Sequence, residues 1–341
     1  MLLAVVLGGP PGASGATADL ERGQALFRRG DVDGALDAFE AAVKLAPRDP
    51  QTHYFKGVAL EKKGKARDAE LAYARAAELD GTFAEAHNNL GSLLFARAQL
   101  PEAEKAFAAA TQARPDFAKA HFNLGLVLDR QGRAADAASS YRLAATHDPK
   151  DVRARLNLAA ALGRGGDKAG AVAALEDAVR LAPRDPVALT NLGLVISDAG
   201  DLGKAEATLK KATSVDGRHA PAWHALGRVQ LKAKRPVEAQ EALGKAVALD
   251  PRSGLFVEDL CRAEVTLDAA SAVAKKTCER AVALDGKSAM ARYMLTKSHV
   301  ARGQCDAARK EVARFKALAG ISARAVEGAS AAANGCKPAP R

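Results

Sequence analysis

An all-α chain of antiparallel helix pairs is predicted by three observations. Residue types recur every 34 positions, apolar residues inside each period follow helical spacing, and Gly and Pro punctuate the periods at fixed places. A small residue recurs at Gly23, Gly57, Gly91, Gly125, Ala159, Gly193 and Gly227, and an alanine at Ala35, Ala69, Ala103, Ala137, Ala171, Ala205 and Ala239. A bulky apolar column runs Phe39, Tyr73, Phe107, Tyr141, Leu175, Leu209, Leu243, and a second alanine follows at Ala42, Ala76, Ala110, Ala144, Ala178, Ala212 and Ala246. Pro47, Pro115, Pro149, Pro183 and Pro251 close the period, with Gly81 and Gly217 as substitutes.

The stretch 118–151 shows how one period becomes two helices. Leu124, Val127 and Leu128 mark the apolar stripe of a first helix, Gln131–Gly132 a turn, and a second helical run follows. The Gly and Ala columns leave little bulk where the helices cross, and Phe107 or Tyr141 fills the space beside them. Pro101 and Pro236 fall at second-helix starts, and Pro50 and Pro186 at first-helix starts, where no intrahelical N–H is needed. A single pair cannot bury its own apolar face, so stability must come from stacking on neighbours.

This order of small, small, aromatic, small and proline resembles the tetratricopeptide repeat family over about residues 16–317. The resemblance implies a right-handed α-solenoid of about nine helix–turn–helix repeats. Seven regular repeats are expected over 16–253, starting at residues 16, 50, 84, 118, 152, 186 and 220. Two degenerate repeats follow at 254–317, the first carrying an extra residue, and the segment 318–341 is expected to hold a capping helix over 321–333 and a tail.

The opening 18 residues are unlike the rest. A short apolar run from Leu2 to Leu7, then Gly and Pro, then Ala16–Thr17–Ala18, matches the later parts of a secretory signal peptide, although the basic n-region is missing. The other reading is a disordered N-terminus. Export would place the protein in the periplasm or outside the cell; retention would leave it cytoplasmic. The run is too short to span a bilayer.

All four cysteines, Cys261, Cys278, Cys305 and Cys336, lie near the C-terminus. Cys261 occupies the glycine column and Cys278 the bulky column, so folding that repeat about its turn brings them face to face. Cys305 is left to tie down Cys336. Two disulfides in an oxidising compartment are therefore expected; the alternative is four buried thiols acting as small hydrophobes. No cysteine or histidine cluster has metal-ligand spacing, and no cofactor is expected.

Net charge is +10, but residues 287–341 alone hold eleven Lys or Arg against three Asp or Glu. A basic cap fits that distribution better than a nucleic-acid groove, and the scarcity of aromatics leaves little for base stacking.

Four of the six asparagines share one column, Asn89, Asn123, Asn157 and Asn191, on the first helix of each repeat, where the family's concave face lies. An amide offers both donor and acceptor and can pair with peptide backbone whatever its sequence. Tyr54, Phe122, Leu126, Leu156 and Leu194 are expected on or near the same surface as apolar contacts. The competing reading is that the asparagines support hydrogen bonds between repeats. His53, His87 and His121 also recur, but the column continues with Arg155, Leu189 and Trp223, which points to packing against the preceding repeat and away from a metal. The glycines of Gly163–Asp167 fall at an inter-helix turn without a preceding strand, and no catalytic constellation stands out, so an enzyme is not expected. The expected function is a scaffold or adaptor that holds an extended peptide or partner protein in the groove. Two further readings are a structural component of a secretion, pilus or polysaccharide-export machine and a cytoplasmic chaperone-type adaptor. Oligomeric state is left open.

Overall fold

The computed structural model describes residues 11–318 and 320–338, and within them the chain is helical throughout, with no strand. The N-terminal helices are α1 (Pro11–Arg28), α2 (Val32–Leu45), α3 (Pro50–Lys62), α4 (Ala66–Leu79), α5 (Ala84–Ala96) and α6 (Leu100–Ala113). Then come α7 (Ala118–Arg130), α8 (Ala134–His147), α9 (Val152–Arg164), α10 (Lys168–Leu181), α11 (Pro186–Ala199) and α12 (Leu202–Val215). The remainder are α13 (Ala220–Lys232), α14 (Pro236–Leu249), α15 (Gly254–Leu267), α16 (Ala272–Leu284), α17 (Ala289–Ala301), α18 (Cys305–Lys316) and α19 (Ala323–Asn334). This is the α-solenoid class: within each of two compact units consecutive helices pair antiparallel, and pairs pack on their neighbours in sequence. Residues up to Ala174 form one compact unit and residues from Leu175 another.

The column residues set the helix-to-helix distance. A Cβ built on Gly125 of α7 would lie 2.6 Å from Cε1 of Tyr141 in α8, so any side chain there would displace the ring. Tyr141 is fully buried, and its hydroxyl donates to Asp129 Oδ2 at 3.0 Å. Tyr73 does the same to Glu61 Oε2 at 2.7 Å. The phenol thus buries its ring against a glycine and keeps its polar end satisfied by a carboxylate of the first helix. Asp129 also accepts from Arg164 of the next repeat at 2.5 Å, linking the two.

Helix ends follow from local chemistry. Asp49 precedes Pro50 and Asp185 precedes Pro186; their carboxylates accept from the backbone N–H of Gln51 at 3.0 Å and Val187 at 2.8 Å. Aspartate at the cap satisfies an orphan donor, and proline at the first helical position has no N–H to satisfy. The turn inside each of the seven regular pairs holds one residue in the left-handed region, as at Gly132 with φ +78°. At the same place Ala98 and Lys234 adopt φ +58° despite their side chains, a conformation that sequence reasoning reserves for glycine.

The helix α1 runs back to Pro11 and buries Ala16. Residues 16–18, read above as a signal-peptide cleavage region, therefore lie inside the first repeat helix; the apolar run from Leu2 to Leu7 lies outside the described residues. In the C-terminal unit Cys261 of α15 and Cys278 of α16 are fully buried, with sulfurs at disulfide distance, 2.05 Å. Cys305, at the start of α18, is joined in the same way to Cys336, just beyond α19. The last helix starts two residues later than expected, at Ala323, where Ser322 caps it by accepting from the Ala325 N–H.

Candidate functional site

The asparagine column does not present four equivalent amides. Asn89 Nδ2 donates to the Tyr54 hydroxyl at 3.4 Å, and Asn89 Oδ1 accepts from Asn88 at 3.2 Å. Asn123 Nδ2 donates to Asn88 Oδ1 at 2.9 Å. The Tyr54–Asn89 and Asn88–Asn123 contacts join residues 35 apart, so each runs from one first helix to the next. Asn88, only 1 % exposed, is the hub that both amides use. Between them Asn88, Asn89 and Asn123 satisfy polar groups that would otherwise be costly to bury.

One repeat on, the pattern breaks. The place held by Tyr54 and then Asn88 is taken by Phe122, which has no hydrogen-bonding group. Asn157 is half-buried and its amide makes no hydrogen bond among the described residues. Phe122, Leu126 and Leu156, from the same two first helices, α7 and α9, are also only half-buried. The Phe122 ring leans on Tyr141, with centroids 5.7 Å apart, and carries the Arg153 guanidinium 5.1 Å from its centre. Phe122 and Asn157, 35 residues apart, hold the positions that Asn88 and Asn123 hold one repeat earlier. In the C-terminal unit Asn191 and Leu194 stand half-buried on α11, and Asn191 likewise makes no hydrogen bond among the described residues. Tyr54, by contrast, is built into an aromatic cluster with Phe55, Tyr73 and Phe83.

The histidine column has a local role. Nε2 of His53, His87 and His121 lies 3.0, 3.1 and 2.8 Å from the carbonyl six residues earlier, in the turn that closes the preceding repeat. Trp223 donates to Gly217 O at 2.9 Å, and Arg292 to Gly286 O at 3.0 Å, in the same way. At these places His, Trp or Arg fixes the turn through a ring or guanidine nitrogen, whereas Arg155 donates instead to Asp151 O at 3.1 Å and Leu189 carries no donor. Among the described residues no group of three or more His, Cys, Asp or Glu could hold a metal ion. The Gly163–Asp167 stretch is the end of α9 and the turn into α10, where Asp167 accepts from the Gly170 N–H at 2.8 Å.

Two polar features of the C-terminal unit escaped sequence reasoning. His224 and Asp259, also 35 apart, form a buried pair with Nε2 2.7 Å from Oδ2, under the Phe256 ring. Glu264 is buried with Oε2 unpartnered, and burial holds its carboxyl above the usual carboxylate range, the side chains of Thr277 and Gln240 acting against that shift. The available signal was the spacing of one residue more than the repeat, which pairs Tyr54 with Asn89, Asn88 with Asn123 and His224 with Asp259.

Two tetratricopeptide repeat models match, one over residues 20–84, 56–113, 88–152 and 142–186, the other over 197–256. The chain belongs to the tetratricopeptide repeat family. Among solved structures, MamA is 27 % identical over 50 % of this chain and 94 % of its own, with a TM-score of 0.46. The Cut9–Hcn1 assembly of the APC/C is 18 % identical over 82 % of this chain and 55 % of its own, with a TM-score of 0.53. PilF of Pseudomonas aeruginosa is 17 % identical over 65 % of this chain and 100 % of its own, with a TM-score of 0.52. At such identities the last two likenesses are of fold alone. No curated protein matches in sequence. No helix of the described residues is long and apolar enough to cross a membrane.

Proposed function

We propose that the protein is a non-enzymatic interaction scaffold whose N-terminal unit holds an extended peptide segment of a partner protein across α7 and α9. The observation that carries this reading is the Asn157 amide, partly covered and without an internal partner, on helices whose Phe122, Leu126 and Leu156 are likewise only half-buried. A peptide backbone supplies both the acceptor and the donor that an amide needs, and its side chains would cover the apolar surface. Asn123 keeps its oxygen for the same strand, since only its nitrogen is used by Asn88. Tyr54 and Asn89 hold each other and shape the face. In the C-terminal unit Asn191 and Leu194 form a separate contact of the same kind.

The two cysteine pairs support an oxidising compartment, the periplasm or outside the cell. Intact-mass analysis of protein isolated without reductant tests that assignment: four hydrogens missing supports it, and four free thiols contradicts it. The binding assignment is tested on an immobilised array of extended peptides of varied sequence. Asn157→Ala is expected to weaken binding alike across sequences, by about tenfold for a lost pair of backbone hydrogen bonds, with an unchanged melting temperature. Undiminished binding would overturn it.

A further inference from the structure

A cavity of about 570 Å3 opens at the C-terminal end, far in sequence from the face just described. It is lined by Met290 and Tyr293 of α17, Phe315 of α18, Ile321 ahead of α19, and Arg324 and Gly328 of α19. Phe315 is buried at 3 % exposure, whereas Met290 is 38 % exposed, so the cavity offers solvent an apolar surface that the fold does not cover.

Charge gives the occupant's character. No acidic residue lines the cavity. Arg324 is exposed, and the Lys297 ammonium sits 5.9 Å from the centre of the Tyr293 ring. Neither cation has a carboxylate partner among the described residues, whereas the nearby Arg292, Arg309 and Arg314 are paired with Glu311 or Asp306. A guanidinium at the edge of an apolar cavity, with its donors unused, matches a carboxylate carried next to an apolar group.

Gly328 points the same way. Glycine is the poorest helix former after proline; at Gly125 a ring that presses on it requires it, whereas at Gly244 of α14 nothing occupies the place of a Cβ. No such pressure exists at Gly328: a Cβ built there meets nothing within 4 Å. Its missing side chain leaves the cavity open.

We propose that this cavity is a docking site for an acidic peptide segment of a partner protein. An apolar side chain enters between α17 and α19, a neighbouring carboxylate is held by Arg324, and the surplus of cations in residues 287–341 draws the segment in. The site shares no residue with the face on α7 and α9, so either can fail without the other.

The test uses full-length oxidised protein and a fluorescein-labelled, end-blocked peptide of glutamates around a central leucine–phenylalanine pair, followed by fluorescence anisotropy. Arg324→Glu is expected to weaken binding by about tenfold or more. Gly328→Met should fill the cavity and abolish binding while the melting temperature stays level or rises. Asn157→Ala should leave this affinity unchanged. The proposal is overturned if the peptide does not bind, or if Gly328→Met binds it as well as the parent. It is also overturned if replacing the leucine–phenylalanine pair by serines has no effect. Vesicles of phosphatidylglycerol are the last arm: if they bind with the same dependence on Arg324 while the peptide does not, the site takes a membrane surface and the peptide assignment falls.

Discussion

In the third and fourth repeats a first-helix glycine lies against a second-helix ring, Gly91 against Phe107 and Gly125 against Tyr141. In the eighth the same two places hold Cys261 and Cys278, joined through sulfur, and both are fully buried like the residues they replace. A ring against a glycine works when stacked repeats keep the ring covered. Near the end of the array, where only one degenerate repeat and the last helix follow, a covalent link keeps the pair closed with less bulk than a ring. The second pair, Cys305 with Cys336, does the equivalent for α18 and α19 by tying the end of the cap back to the preceding helix.

Removing the first link should therefore have the largest effect, and a local one. Replacing both Cys261 and Cys278 with alanine opens a loop of 17 residues, for which about 3 kcal/mol is expected. Amide hydrogen exchange should show α15 to α18 losing protection while α3 to α8 keep theirs; equal loss in both regions would break the comparison. Next in size, Gly125→Val should cost about 1–3 kcal/mol by overpacking against Tyr141, read from thermal unfolding. A neutral result would mean that the ring moves aside freely and that the glycine column is not a spacing device.

Glu264 gives a smaller effect with a definite sign. Its carboxyl is raised from 4.5 by burial, so the folded state holds the proton where the unfolded chain has lost it. Stability therefore falls as pH climbs above 4.5 towards the folded value and stays lower beyond it. Glu264→Gln should raise the melting temperature near neutral pH, with the gain disappearing in acid. A gain independent of pH would show that packing, and not charge burial, is the source.

The parts of the fold that repeat were legible, and the parts that vary were not. The glycine, alanine and bulky columns keep their residue type, because each pair must solve the same spacing problem, and periodicity exposes them. Cys261 and Cys278 were readable for the same reason, since they occupy those columns. The residues that decide which asparagine is available sit in a column that changes every time: Tyr54, Asn88, Phe122, Leu156, Thr190, His224. Nothing repeats there, so no period flags it. Its meaning appears only when residues one past a full repeat meet, as Asn88 meets Asn123. The cavity around Arg324 was hidden differently. It lies beside the last degenerate repeat, where the periodic signal fades and the cap is built from residues with no counterpart elsewhere in the chain.

In the proposed binding mode Asn157 gives its whole amide to the partner, while Asn123 spends its nitrogen on the buried Asn88 and so holds the fold as well. The most direct measurement is thermal unfolding and peptide-array binding on Asn157→Ala and Asn123→Ala side by side. Asn123→Ala leaves the buried Asn88 side-chain oxygen without its donor and should cost about 1 kcal/mol or more in stability. Asn157→Ala should leave stability unchanged and weaken the peptide uniformly. A stability loss at Asn157 with peptide binding intact would contradict the claim and make the whole column structural.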